Sequence, residues 1–160
     1  MPHILIIGYG NVLRGDDGMG CLAAEELQRL FRDDPDVRVI ATHQLTPELA
    51  EDISRSEFAL FLDATSSEEP GRISQFRVLP KAGPSGFTHQ LTPASLLSAA
   101  DYLYGHIPEA ACITVAGWSF KLDNKLSRRA NMLLQVLVGQ AKDFVESHRK
   151  ARPAEVLECQ

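Results

Sequence analysis

The chain is short of several things that would have assigned it quickly. Cysteine is scarce: Cys21, Cys112 and Cys159 are odd in number and far apart, so they supply neither a disulfide framework nor a C-x-x-C metal site. Cys21 falls on an expected helix and Cys112 starts an expected strand, where small buried thiols fit. No apolar run approaches the ~18 residues of a membrane span. Met1-Pro2-His3 leads into the first apolar run without a charged leader or a cleavable segment, so a cytoplasmic location and no membrane partner are expected. Basic stretches are missing apart from His148-Arg149-Lys150-Ala151-Arg152, and with a net charge of −5 a nucleic-acid partner is not expected. There is no H-E-x-x-H helix and no spacing that supports a Ser-His-Asp or Cys-His nucleophile, so a covalent intermediate is not expected.

What is present begins at Ile4-Leu-Ile-Ile7, an apolar run ended by Gly8 and suited to a parallel strand covered on both faces. From Met19 the apolar positions Met19, Leu22, Ala23, Leu27, Leu30 and Phe31 are spaced by three and four, which predicts a helix with one buried face. Between strand and helix lie Gly8, Gly10, Gly15, Gly18 and the adjacent acids Asp16 and Asp17. The third glycine of a dinucleotide fingerprint is absent, and a phosphate would meet two carboxylates. One acid is explained as a helix cap, an arrangement worth ~1 kcal/mol. Two acids bracketed by glycines beyond a first strand read equally well as a ligand loop.

Further strands are predicted over 37–41, 58–62, 71–79 and 111–116, the fourth of these five strands (71–79) alternating in polarity and therefore at an edge. Helices are predicted over roughly 47–55 with Thr46 as N-cap and Pro47 at the first position, from Thr92-Pro93 to about Tyr104, and from Ser127 to about 148. The loop holding Gly83, Pro84 and Gly86 suits a mobile surface segment. The expected fold is a single α/β domain over residues 1–148, a doubly wound, mostly parallel sheet with helices on both faces, followed by a frayed tail over 149–160. In such folds ligands gather beyond the carboxyl ends of the strands where strand order reverses. If the second and third strands flank the first, Asp17 and Asp63, the acid that ends the third strand, face each other across one crevice.

His43-Gln44-Leu45-Thr46-Pro47 recurs as His89-Gln90-Leu91-Thr92-Pro93. Helix capping explains the Thr-Pro but not the histidine, which stands where an imidazole could reach the crevice. Two carboxylates and one imidazole form a coherent set for nickel or zinc with positions left open. Spacing does not choose between His43 and His89.

Gly8-Tyr9-Gly10-Asn11-Val12-Leu13, then Asp16-Asp17-Gly18-Met19-Gly20, with Leu62-Asp63-Ala64 and Thr88-His89 downstream, resembles the hydrogenase maturation endopeptidases over about residues 3–147. The resemblance implies an enzyme that clips a C-terminal extension from the precursor of a nickel-containing hydrogenase large subunit after nickel insertion. It implies Asp17, Asp63 and His89 as metal ligands and catalytic residues, toward nickel presented by the precursor. Asp16 becomes the helix-capping neighbour, where asparagine would serve as well, and His43 has no assigned role. A monomer is expected. The family often carries Gly, an aliphatic residue, Gln or Glu, and Pro after the last strand; here Gly117-Trp118-Ser119-Phe120 stands instead. Two other readings are a nickel-sensing module that binds the precursor without cutting it, and an esterase like peptidyl-tRNA hydrolase, whose RNA substrate the Asp16-Asp17 pair fits poorly.

Overall fold

The computed structural model describes residues 2–81 and 91–149. Five strands form one sheet: β1 (Ile4–Tyr9), β2 (Val37–Thr42), β3 (Phe58–Thr65), β4 (Ile73–Val78) and β5 (Glu109–Ala116), in the order β2-β1-β3-β5-β4. All neighbours are parallel except β4, which runs antiparallel to β5 at the edge where its alternating polarity placed it. The helices are α1 (Met19–Leu30), α2 (Leu49–Ser54), α3 (Pro93–Tyr104) and α4 (Arg128–His148), with a short 3-10 turn over Gly15–Gly18.

The apolar runs are continuous because successive side chains enter two different cores. Ile4, Ile6, Leu60, Leu62, Ile113 and Val115 face α1 and α4, against Met19, Leu27, Leu137 and Val145. Leu5, Ile7, Phe61 and Cys112 face α2 and α3, against Ile53, Leu96 and Leu97. Each fully buried Val, Leu, Ile, Met or Phe side chain among these stabilises the fold by about 1.5–3 kcal/mol. The two thiols in the described residues, Cys21 and Cys112, are free and buried, as expected.

Two of the four helix starts follow local capping chemistry. Thr92 caps α3 in a reciprocal box with Ser95, with Pro93 in the first turn, and Ser127 accepts the Ala130 N–H at the start of α4. The Thr46-Pro47 pair does not do the same. There the chain first makes a turn, Leu49 N–H donating to the Thr46 carbonyl at 3.2 Å, and α2 begins at Leu49 without a side-chain cap. A second correction concerns β3, which does not end at Asp63. Its pairing with β5 continues through Asp63–Thr114 to Thr65–Ala116, so the acid lies within the strand. The loop with Gly83, Pro84 and Gly86, and residues 150–160 of the expected tail, lie outside the described residues. Arg149 is held by Asp34 at 2.8 Å and Glu146 at 3.0 Å.

Candidate active site

Strand order reverses between β1 and β3, and the acids gather at the carboxyl ends of these two strands. Helix α1 is brought down onto this edge by a close backbone approach at Gly20. A Cβ there would lie 2.4 Å from the Leu62 carbonyl oxygen and 2.6 Å from that of Tyr9. Gly20→Ala is therefore expected to cost about 3 kcal/mol through displacement of α1, read as a lowered urea midpoint. An unchanged midpoint would show that the helix can shift freely. Gly10 is constrained too: its φ is +147°, and a side chain would collide with the Asp17 carbonyl.

Asp17, on the turn before α1, accepts the Asn11 N–H at 2.8 Å through Oδ2, and its other oxygen has no hydrogen-bond partner among the described residues. Asp63 accepts the Tyr9 hydroxyl at 2.9 Å. Side-chain alternation puts Tyr9, Asp63 and Cys112 on the α2/α3 face of the sheet. Burial pushes the Asp63 carboxyl up to about 6, with a smaller contribution from the Asp17 charge and against the pull of the Tyr9 hydroxyl and the Ala64 N–H. The Tyr9 phenol is held protonated by burial and then by Asp63. Burial, assisted by Asp63, pushes the Cys112 thiol up to about 12, which removes it as a nucleophile at neutral pH.

Asp16 is not the cap of α1. That helix has Gly18 at its N-cap and no side-chain cap bond. Instead Asp16 turns inward, fully buried, and gathers the loop between β5 and α4. Its Oδ2 accepts the N–H of Trp118 at 2.8 Å and of Ser119 at 3.1 Å and the Ser127 hydroxyl at 2.8 Å, while Oδ1 accepts the Ser127 N–H at 2.7 Å. Burial alone would raise its pKa, but the hydrogen bonds from Ser127, Trp118 and Ser119 outweigh it and hold the carboxyl below its ordinary value. Adjacent acids thus divide the work: Asp16 closes the wall of the crevice and Asp17 is presented to its interior.

His43 is exposed beyond the end of β2, and no cluster of three His, Cys, Asp or Glu side chains able to hold a metal occurs among the described residues. His89, the other candidate, lies outside them, three residues before Thr92, which starts α3 on the face that carries Tyr9 and Asp63. Sequence reading missed Tyr9 and Asn11 as partners of the two acids. The signal available for both was position, since each stands where β1 gives way to the acidic loop.

Solved structures with this arrangement of strands and helices include the [NiFe] hydrogenase maturation protease HycI of Thermococcus kodakarensis KOD1, with a TM-score of 0.73 at 24% identity, covering 90% of this chain and 92% of that one. The hydrogenase maturating endopeptidase HybD of E. coli gives a TM-score of 0.72 at 22% identity, covering 92% and 93%. The fold is that of the hydrogenase maturation proteases. Among curated sequences, the hydrogenase expression/formation protein HupD of Rhizobium leguminosarum bv. viciae is 29% identical over 113 residues. That match takes in 68% of this chain but spans only about half, 55%, of the relative. No family model matches. Within the maturation-protease fold, Asp17 and Asp63 occupy the switch-point crevice between β1 and β3.

Proposed function

We propose that the chain is an endopeptidase that removes the C-terminal extension of a nickel-containing hydrogenase large-subunit precursor once nickel is in place. The observation that carries this reading is the pair Asp17 and Asp63 at one crevice, on the fold of the maturation proteases. The nickel belongs to the substrate. The donor set suits it: two carboxylates whose orientation is fixed from behind by Asn11 and Tyr9, with His89 as the third ligand, leaving the remaining coordination to the precursor. Burial disfavours the ionised Asp63 carboxylate, and an arriving cation relieves that cost. The buried, protonated Cys112 gives no covalent route. The working protein is proposed to be cytoplasmic and monomeric, with the precursor as its partner; among the described residues no helix is long and apolar enough to cross a membrane.

The test is to incubate the protein with a matched large-subunit precursor, nickel-loaded and nickel-free, and to weigh the products by mass spectrometry. Loss of a C-terminal peptide from the loaded form alone is expected, and is expected to vanish in Asp17→Ala and His89→Ala. Cleavage of both forms would remove nickel as the recognition element. Binding of the loaded form without cleavage would replace the peptidase by a nickel-sensing module.

A further inference from the structure

Two loops stand beside the crevice and are stitched together. The Gly15 N–H donates to the Asp123 carbonyl and the Asp123 N–H to the Leu13 carbonyl, both at 3.0 Å, around a bridge between Arg14 and Asp123. Asp16 pins the second loop at Trp118, Ser119 and Ser127, and the Trp118 and Phe120 side chains pack on the core. This is a rigid surface, yet it holds Leu122 at 87% exposure and Leu13 at 57%.

The same surface also concentrates positive charge. Of the sixteen Lys and Arg in a chain of net charge −5, five lie here: Arg14, Lys121, Lys125, Arg128 and Arg129. All five are exposed. Among the described residues none of them forms an ion pair, which is equally true of Arg29, Arg32, Arg77, Lys81 and Lys142; what distinguishes the five is that they stand together. Arg128 and Arg129 sit in the first turn of α4, which has no acid of its own, where positive charge opposes the helix dipole. The acid within the patch, Asp123, uses Oδ1 to accept the Lys125 N–H. Like charges gathered on one surface, two of them at a helix start that disfavours them, and exposed leucines beside them have no return inside the fold, the pattern found at binding surfaces.

We infer that the paired loops 13–15 and 121–129 form the docking surface for the protein substrate, and that the face it recognises is acidic and carries exposed apolar side chains. The inference rests on the proposed peptidase reading and adds to it where the body of the precursor is held, three residues from Asp17. Docking there fixes the approach of the extension to the crevice, and the opposite charges speed encounter and set the register.

The experiment is steady-state cleavage of the nickel-loaded precursor by the wild type, by Lys121→Glu/Lys125→Glu/Arg128→Glu, by Leu122→Asp, and by Arg32→Glu/Lys142→Glu as a charge control remote from the patch. The triple and Leu122 variants are expected to raise KM about tenfold with kcat unchanged, the wild-type advantage shrinking as salt is added. The remote control is expected to match the wild type. Unchanged KM in the patch variants, with a wild type that cuts, would overturn the docking surface alone, as would a concentration-dependent dimer abolished by Leu122→Asp with KM unaltered, which would place a second copy there. A wild type that neither binds nor cuts the matched precursor would overturn the peptidase reading and the docking surface with it.

Discussion

Asp16→Asn is expected to destabilise the protein by about 3 kcal/mol, and Asp16→Ala by about 5 kcal/mol, because a buried ionised acceptor that satisfies several donors is being removed. Four donors converge on this carboxylate, three of them on Oδ2. Asparagine keeps one acceptor oxygen and must point its amide N–H groups at a donor, in the best case at the Ser127 N–H. It also loses the charge that strengthens the remaining bonds. For a chain of this size the asparagine variant should melt about 10 °C below the wild type. The expectation from sequence was the reverse, tolerance of asparagine at a cap, and it fails because the cap is not there. Since folding holds this carboxyl below its ordinary pKa, the clamp is fully present above pH ~4 and is lost only as the pH falls further. Calorimetry at pH 7 checks it, with Asp17→Asn as the neighbouring control: one hydrogen bond is at stake there and a change of about 1 kcal/mol or less is expected. Equal melting of Asp16→Asn and the wild type would refute the clamp.

Asp63→Asn is expected to abolish processing while making the fold more stable at neutral pH. Displacement of the Asp63 carboxyl from 3.8 to about 6 disfavours the ionised form in the folded chain by up to about 3 kcal/mol. The amide is neutral, fills nearly the same space and still offers an oxygen to the Tyr9 hydroxyl, so the variant escapes this penalty. The sign is opposite to that for Asp16. A raised folded pKa favours the folded wild type below about pH 4, and that advantage disappears as the pH rises through about 6. The gain of the variant should therefore be largest at pH 7 and vanish near pH 4, which urea titrations at the two values measure. Equal stability at pH 7 would mean that Asp63 is not strained. A more stable protein that cannot cut is the expected mark of a residue retained for chemistry.

Much of this was legible in the sequence because parallel strands buried on both faces advertise themselves as unbroken apolar runs, as Ile4–Ile7 and Phe58–Leu62 do. The meeting of Asp17 and Asp63 was legible only as a condition, that the second and third strands flank the first, which the order β2-β1-β3-β5-β4 meets. What was hidden depends on contacts between distant residues. Nothing near Asp16 announces donors more than a hundred residues away, and nothing near Tyr9 announces Asp63, 54 residues on. The acid at position 63 looked like a strand end because an ionisable group seldom enters a sheet, but β5 runs on to Ala116 and carries β3 with it. The Thr46-Pro47 signal names a helix start correctly in its duplicate at Thr92-Pro93, where Ser95 completes the box; at the first copy Leu49 stands in the equivalent place.

The Asp16 clamp also has a consequence in time. Its partners are separated from it by 102 to 111 residues, so during synthesis the loop carrying Asp17 is made early and stays unfastened until Ser127 has left the ribosome. A nascent chain that already has both acids of the crevice still lacks its wall. A product truncated before Ser127 would hold both acids without the frame that aims them.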